Sequence, residues 1–561
     1  MPPKTASSAE RYAQKVVNYS KLGVRDAYLP GLHYSRLGKF LIYPYLSYGE
    51  EWSFPPQENG FQCVALCDLT MSNEDLSRTT LFQRPDDFLH HLKQTPTLTE
   101  TEDQSVSTTS EPTRSSSARA SSSARKYPGR LVFLRGFPSA QWLNCLGSTI
   151  DVDPEFFYRH LEGTISTGQV SPRLDQSFST PFPWSQDLIQ LRVCNTGSWD
   201  INGSRHTLVD LRKDCESKLR MHVEDFAHLR NFAVGDSIVR RFIVHNRHSY
   251  SIEQRLSIEV IHHTRTWSIV VWHDSGKDIS HSTSGRWLNL ENAATLHPVF
   301  QHRPRMASSG ATDVAASSVQ EAEPFPQSIN HLHANYGRNL KAEIMVHDVF
   351  YALGEIFEFS AASVDQLLKH FEDSIGELLR LDNPDTTKIS ELLILKSYID
   401  DYRSYLGNVL KVVKTRGNPK WPRETEPKKR ERADLAAQRL DLRYEHLLGK
   451  CDRLSEHCAS GISILMSLDA HQQTVKAMTQ ADRLGKLSVL AYIYIPITFA
   501  TSFYGMNFAE LGDHLSIWCF FAMAAPLLIV SMVAWFIDVR ATCKFCWRFC
   551  TESWRRRYHE T

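Results

Sequence analysis

The chain has 561 residues, in which 63 basic side chains balance 63 acidic ones and 42% of all residues are hydrophobic. A balanced charge excludes the strong basic field that nucleic acid binding requires, so we expect no nucleic acid partner. The length corresponds to roughly two to four folding units. Its 11 cysteines lack the dense spacing of a secreted disulfide scaffold, which favours a reducing compartment.

The N-terminal third begins without an apolar signal core. Basic and hydroxyl residues at the start would suit a transit peptide, but Glu10 and the early prolines argue against one. Residues 1–93 carry no pattern that assigns them a role. Residues 94–126 are rich in Ser and Thr and too poor in apolar side chains to fold, so they are predicted to be a disordered linker.

Residues 127–302 are predicted to form an α/β cytoplasmic domain. Asp153 before Pro154 is a typical helix start, with an N-cap side chain and a proline at the first helical position. Strand patterns recur at 130–134, 188–194, 237–245, 254–262 and 267–272. Residues 303–335, rich in Ala, Ser and Pro at their start, are predicted to be a flexible loop.

Helical periodicity dominates after Tyr336. Residues 336–430 form a helical cytoplasmic region with helices at 363–381 and 388–413, and a break follows at 417–427. Between Arg432 and Phe503 the only proline is Pro496, so one helix of some 70 residues, on the order of 105 Å, is expected there.

The long helix carries an apolar seam. Its members follow one another at steps of three, four and seven residues: Leu440, Leu447, Cys451, Leu454, Cys458, Ile462 and Leu465. Such spacing favours a bundled stalk, assigned to residues 431–486, in which copies of the helix pack together. The alternative is that the helix packs only on its own domain.

Two apolar runs close the chain. Residues 487–503 and 515–537 contain no charged side chain, and each is long enough for a membrane-spanning helix. Pro496 lies within the first run, which is tolerated when a neighbouring helix satisfies the freed carbonyl. Ser516 and Ser531 are the only hydroxyl-bearing residues of the second run. A buried hairpin in a soluble protein is the alternative.

Flanking charges predict the orientation. The turn at 504–514 contains Glu510 and Asp513 but no Lys or Arg, whereas the tail at 538–561 is strongly basic. The positive-inside tendency therefore places both termini in the cytoplasm. A plasma membrane location is favoured, with a vacuolar or mitochondrial inner membrane as alternatives. The fold class expected is an α+β cytoplasmic domain, a long stalk helix and a C-terminal two-helix transmembrane hairpin.

The first span ends on a specific motif. Ile495-Pro496-Ile497-Thr498-Phe499, followed after a spacer by Tyr504-Gly505-Met506-Asn507 and one last span, closely resembles the CorA-type magnesium transporter superfamily. The close match covers residues 488–511. Residues 137–144 and 152–161 also look like the large fungal CorA-like proteins. In the turn, Glu510 resembles the family's Pro-Glu-Leu segment, although Ala509 replaces the proline.

This resemblance implies a homopentamer in a lipid bilayer that carries divalent cations inward down their electrochemical gradient, with Mg²⁺ as the transported ion and no cofactor. The selectivity filter would be Tyr504, Gly505, Met506 and Asn507, where Gly505 and Asn507 contact the hydrated ion. Glu510 and Asp513 of the entrance loop would concentrate cations. Steps of three and four predict a pore lining of Ser502, Thr498, Ile495, Ala491, Leu487 and Leu484, continuing to Ala481.

Other readings stay open at this level. The cation could be Zn²⁺ or another divalent ion, and the hairpin could anchor a non-conducting scaffold or sensor. Cys543, Cys546 and Cys550 suit palmitoylation at least as well as zinc. The histidines at 262, 263 and 273 are expected to be surface residues. The chain has no nucleotide-binding P-loop, nucleophile elbow or zincin motif, so an enzyme is not expected.

Overall fold

The computed structural model describes the chain in segments: residues 7–23, 31–46, 60–69, 79–94, 129–162, 187–198, 207–227, 229, 231–246, 248–263, 266–279, 295–299, 327–380, 386–505, 518, 520–533 and 535–537. Two compact units are present. The first comprises residues 1–380 with 393–459, and the second comprises residues 381–392 with 460–561. The predicted linker at 94–126 lies, after Gln94, outside the described residues.

A mixed sheet forms the core of the first unit. Its strands are β1 (Val64–Leu69), β2 (Thr80–Phe82), β3 (Gly129–Arg135), β4 (Leu188–Ser198), β5 (Arg241–Val244), β6 (Ser249–His262), β7 (Trp267–His273) and β8 (Thr295–Leu296). The order is β2-β1-β3-β7-β6-β4-β8, and β5 pairs with β6 beside this path. β3 and β7 are parallel, whereas the other pairs are antiparallel.

Helices make up most of the remaining described residues. They are α1 (Ser8–Ser20), α2 (Ser35–Ile42), α3 (Pro85–Gln94), α4 (Ala140–Thr149), α5 (Pro154–Leu161), α6 (Leu208–Ala227), α7 (Leu332–Asn335), α8 (Ala342–Met345), α9 (Val349–Ala352), α10 (Gly354–Leu378), α11 (Thr386–Thr415) and α12 (Pro427–Tyr504). An apolar helix, α13, follows at Phe520–Ile537. Single 3-10 turns lie at Leu32–Tyr34, Tyr43–Tyr45 and Ser328–His331.

The predicted fold class is confirmed: an α/β domain precedes one long helix and a second apolar helix. Asp153 caps α5, because its carboxylate accepts a hydrogen bond from Glu155 N at 2.8 Å. The strand expected at 237–245 is shorter, at Arg241–Val244. The loop expected at 303–335 ends in helical structure, since residues 328–335 form a 3-10 turn and α7, while residues 303–326 lie outside the described residues.

Residues 1–93, which the sequence left without a role, contribute to the same core. β1 pairs with β3 over six residues, so that Cys67 lies opposite Leu131. Side chains of α1 and α2 pack into the cluster that also holds the core of α4. The described part of the N-terminal region therefore folds together with the α/β domain.

Helix α11 is attached to the sheet by partly buried ion pairs. Arg192 Nη1 on β4 and Arg241 Nη1 on β5 both donate to Asp401 Oδ2, at 2.8 and 2.9 Å. Burial alone would raise the pKa of Asp401, but the hydrogen bonds and charges of Arg192 and Arg241 together outweigh burial and lower it. α10 is attached to the same strand, because Ser360 Oγ donates to the carbonyl of Arg192 at 2.8 Å.

The interpretation of the α12 seam as a contact between chain copies is wrong over residues 440–458. Leu440, Leu447, Cys451, Leu454 and Cys458 are all buried within a single chain. The same stretch of α12 meets the neighbouring helices through polar contacts, since Tyr444 donates to Phe357 O at 3.0 Å and Ser455 donates to Asp400 at 2.7 Å. This part of the seam therefore belongs to the core of the first unit, as the alternative reading held.

We expect Leu447→Ala to destabilise the first unit by about 2–5 kcal/mol, because it leaves a cavity at a side chain that is 1% exposed. The mutation should leave the number of chains per particle unchanged. Thermal unfolding and native mass spectrometry of the full-length protein check the two effects. Loss of assembly without loss of thermal stability would restore the bundled-stalk interpretation; Leu442→Ala, at an exposed site on the same helix, is the control.

A charged cluster fastens the N-terminal segment to α5. Tyr34 and Arg159 donate to the two carboxylate oxygens of Glu155, each at 2.5 Å, and His33 lies 3.7 Å from the same carboxylate. Burial opposes ionisation of Glu155, but these three donors outweigh it and lower its pKa to about 2.

We expect Glu155→Gln to lower the unfolding temperature at pH 7 and to flatten its acid dependence. A carboxylate whose pKa is lowered on folding stabilises the fold above its unfolded pKa, and this contribution is lost as the pH falls from about 4.5 towards 2. Thermal scans between pH 7 and 2.5 test this, with the exposed Glu377→Gln as control. A variant with an unchanged profile would contradict the role of the cluster.

Candidate functional site

The first apolar helix ends at the predicted filter. Tyr504 is the last residue of α12, and Gly505 N still donates to Thr501 O at 2.9 Å. A Cβ at Gly505 would lie 3.3 Å from that carbonyl oxygen. The filter residues after Gly505 are not described: Met506, Asn507, Glu510 and Asp513 lie outside the described residues, as does the side chain of Tyr504.

The predicted pore face is exposed in the single chain. Ala481, Leu484, Leu487, Ala491, Ile495, Thr498 and Ser502 are all exposed, with Ile495 at 66%. By contrast, Pro496 and Ala500 are buried and Tyr492 is half-buried. At about 100° per residue the two sets are centred roughly 140° apart around the helix axis. The predicted pore face is therefore not the face that packs within the chain, and its role in lining a pore stays a prediction.

A hydrogen bond between the two apolar helices lies at the buried face. Pro496 has no N–H, so the carbonyl of Tyr492, four residues earlier, loses its normal helical donor. Ser531 Oγ of α13 donates to that carbonyl at 2.7 Å. This contact supplies the partner that the sequence analysis required of a neighbouring helix, and we call it the Pro496–Ser531 clasp.

Small side chains flank the clasp. Ala500 lies two turns after Tyr492 on α12, and Ala524 lies two turns before Ser531 on α13; both are buried. Small residues at a helix contact in a membrane let the two backbones approach closely. The clasp and these alanines together fix which face of α12 meets α13.

Hydroxyl groups on the exposed side retain acceptor capacity. Thr498 Oγ1 donates to Tyr494 O at 2.6 Å, and Thr501 Oγ1 donates to Thr498 O at 2.8 Å. Once the hydroxyl proton is used in the helix, the oxygen lone pairs still accept hydrogen bonds from water. Thr498 can therefore bind the hydration shell of a cation rather than the bare ion.

Charge is confined to the start of the apolar stretch. Lys486 pairs with Asp482 at 2.8 Å, one turn before the span, and both side chains are exposed. Within the part of the chain that the structure describes, no group of three or more His, Cys, Asp or Glu side chains is placed to hold a metal ion. Cys543, Cys546 and Cys550 lie outside the described residues. Residues 487–503 of α12 therefore present uncharged oxygens and apolar groups.

Sequence reasoning named Pro496 and Ser531 separately but did not pair them. The available signal was weak, because only two hydroxyls on the second span could serve the freed carbonyl, and spacing alone does not fix the register of two antiparallel helices. The prediction that His273 is a surface residue is wrong, since its side chain is completely buried at the end of β7. His262 and His263 are exposed, as expected.

We expect Ser531→Ala to destabilise the hairpin by roughly 1 kcal/mol, because it removes the hydrogen bond from Ser531 to the Tyr492 carbonyl in apolar surroundings. In a Pro496→Ala background the same mutation should have little effect, since residue 496 then supplies the helical N–H. Unfolding of the full-length protein in a denaturing detergent titration measures this coupling.

Ser488→Ala is the matched control for this cycle, because Ser488 Oγ donates only within its own helix, to Leu484 O at 2.9 Å. Equal destabilisation by Ser531→Ala in both backgrounds would show that the clasp does not substitute for the missing backbone hydrogen bond.

Comparison with known proteins finds a family model that matches the region of the two apolar helices. Two helices, Pro427–Phe503 and Phe520–Ile537, are long and apolar enough to cross a membrane, and almost none of either apolar window is buried. The family model described as CorA-like Mg2+ transporter protein matches residues 319–540. None of the curated proteins matches the chain significantly.

Among solved structures, the complete structure of the CorA magnesium transporter from Methanocaldococcus jannaschii is similar at 15% sequence identity. The match covers 61% of this chain and 96% of that chain with a TM-score of 0.28, which is too low to support an argument about structure. The family match spans both apolar helices and the segment between them. Over residues 319–540, which are less than half of the chain, the sequence matches the CorA-like Mg2+ transporter family.

Proposed function

We propose that the protein is a channel for divalent cations, with Mg²⁺ as the preferred ion, which moves inward down its electrochemical gradient. The observation that carries this proposal is the motif Tyr504-Gly505-Met506-Asn507 between two apolar helices, inside the region that the CorA family model matches. Mg²⁺ is the transported ion here and not a cofactor.

The chemistry of the motif suits a hydrated ion. Mg²⁺ requires octahedral oxygen coordination and releases its water reluctantly. A ring of Asn507 amide oxygens and Gly505 carbonyls, contributed by several copies of the chain, would accept hydrogen bonds from that water without a full negative charge to trap the ion. Glu510 and Asp513 would raise the local cation concentration at the entrance.

The rest of the pathway follows the exposed face of α12. Thr498 and Ser502 offer oxygens to the hydration shell, whereas Leu484 and Leu487, 63% and 62% exposed in the single chain, would form an apolar constriction between copies. Apolar side chains this exposed need either lipid or another copy as a neighbour, which supports a homo-oligomer in a bilayer, and we propose a homopentamer. Both termini would face the cytoplasm, with the plasma membrane as the favoured location.

We expect Asn507→Ala to abolish most Mg²⁺ flux into proteoliposomes that hold the purified full-length protein at matched density. Asn408→Ala, an exposed asparagine on α11, is the control for the same substitution away from the membrane and should conduct normally. Mg²⁺ entry is followed with an indicator dye, and Zn²⁺ is added as a competitor.

Three results would change the proposal. Preferential Zn²⁺ entry would make the protein a zinc transporter built on the same pore. Equal flux in Asn507→Ala and the wild type would remove the motif from the filter. No flux in any variant would favour a non-conducting scaffold or sensor anchored by the hairpin.

A further inference from the structure

A second polar site lies in the α/β domain, where the two central parallel strands end. Arg135 is the last residue of β3 and His273 the last residue of β7, and the two are register partners in the parallel ladder. His333, on the short helix α7, is close enough for the charge of Arg135 to lower its pKa, after the larger effect of burial. The carboxyl ends of parallel strands are where α/β sheets commonly bind ligands.

Arg135 is a largely buried cation without a carboxylate partner among the described residues. Its guanidinium donates to the carbonyl of Gln62 at 3.4 Å and lies 5.0 Å over the ring of Phe61, while its Nε has no hydrogen-bond partner in the part of the chain that the structure describes. Burial lowers the pKa of Arg135, as expected for a charge removed from water. Buried charges in proteins are normally paired, so the missing partner needs an explanation.

Asp274, the residue that follows His273, cannot be the carboxylate partner of Arg135. Asp274 is fully buried and accepts from Arg240 Nε and Nη2 at 2.7 and 2.8 Å. His160 Nε2 lies 3.0 Å from the same carboxylate, and the backbone N–H of Arg255 donates to it at 2.5 Å. Its negative charge is therefore already compensated by other groups.

The two histidines add further unpartnered nitrogens. His273 is completely buried, and neither of its ring nitrogens has a hydrogen-bond partner among the described residues; His333 is 5% exposed, and its Nδ1 has none among them either. Each buried polar group left without a hydrogen bond costs free energy. Two histidines with unused ring nitrogens beside a buried arginine whose Nε is also unused indicate a site for a ligand.

We propose that Arg135, His273 and His333 bind a small inorganic oxyanion of the phosphate class. An anion pairs with the guanidinium and accepts from Arg135 Nε and the imidazole N–H groups at once. A metal cation would be repelled by Arg135, and a water molecule would leave its charge unpaired. Complete burial of His273 limits the ligand to a few heavy atoms. The site is in the cytoplasmic domain and does not depend on the proposed transport activity.

The test is phosphate binding to the full-length protein in detergent, measured by equilibrium dialysis with labelled phosphate and by the unfolding temperature at constant ionic strength. Phosphate should raise the unfolding temperature saturably and bind once per chain, whereas chloride should not. His333→Phe should weaken binding by at least about tenfold. The exposed His347→Phe is the control and should bind normally.

Arg135→Gln separates loss of the ligand from loss of the fold. Without phosphate this variant should be at least as stable as the wild type, because it removes an unpaired buried charge, yet it should not respond to phosphate. Absence of saturable phosphate binding to the wild type would overturn the proposal. Binding that persists unchanged in both His333→Phe and Arg135→Gln would place the anion elsewhere and equally overturn it.

Discussion

The two apolar helices depend on one physical constraint, and the carbonyl oxygen of Tyr492 illustrates it. In an apolar environment no water is available to replace a missing backbone hydrogen bond, so each one must be satisfied within the protein. Pro496 removes one donor from α12, and Ser531 of α13 replaces it at 2.7 Å. The same contact turns Tyr492, Pro496 and Ala500 towards α13 and so leaves the face with Leu487, Ile495 and Thr498 uncovered by the chain itself.

The apolar residues of helix α12 follow the same spacing in two different environments. Between Leu440 and Cys458 its apolar side chains are buried within one chain, whereas around Leu484 and Leu487 they are exposed. The sequence pattern is similar in both stretches because three- and four-residue steps report a helix face and not its neighbour. Only the structure identifies the neighbour of the first stretch as a helix of the same domain. The ion pair between Arg403 of α11 and Asp452 of α12, at 2.5 Å, is one such contact.

The features predictable from sequence were those set by local physics. The length of the apolar runs predicted the two apolar helices, and Asp153 before Pro154 predicted the start of α5. The long stretch with a single proline predicted most of α12. β1 was missed, because Val64–Leu69 is short and its partner β3 begins some 60 residues later. Such long-range pairing leaves no local pattern, and for the same reason the register that joins Ser531 to Tyr492 could not be read from spacing.

His273 illustrates why a buried polar site escapes sequence analysis. A histidine that ends a strand is usually exposed, but β7 is a central strand buried along all seven residues, with β3 on one side and β6 on the other. Central strands of this kind are covered on both faces, so their last residue is enclosed as well. Placing an arginine and two histidines there is destabilising unless something compensates them. Departures from the rules of local stability tend to mark functional sites, and the end of β7 is such a departure outside the membrane.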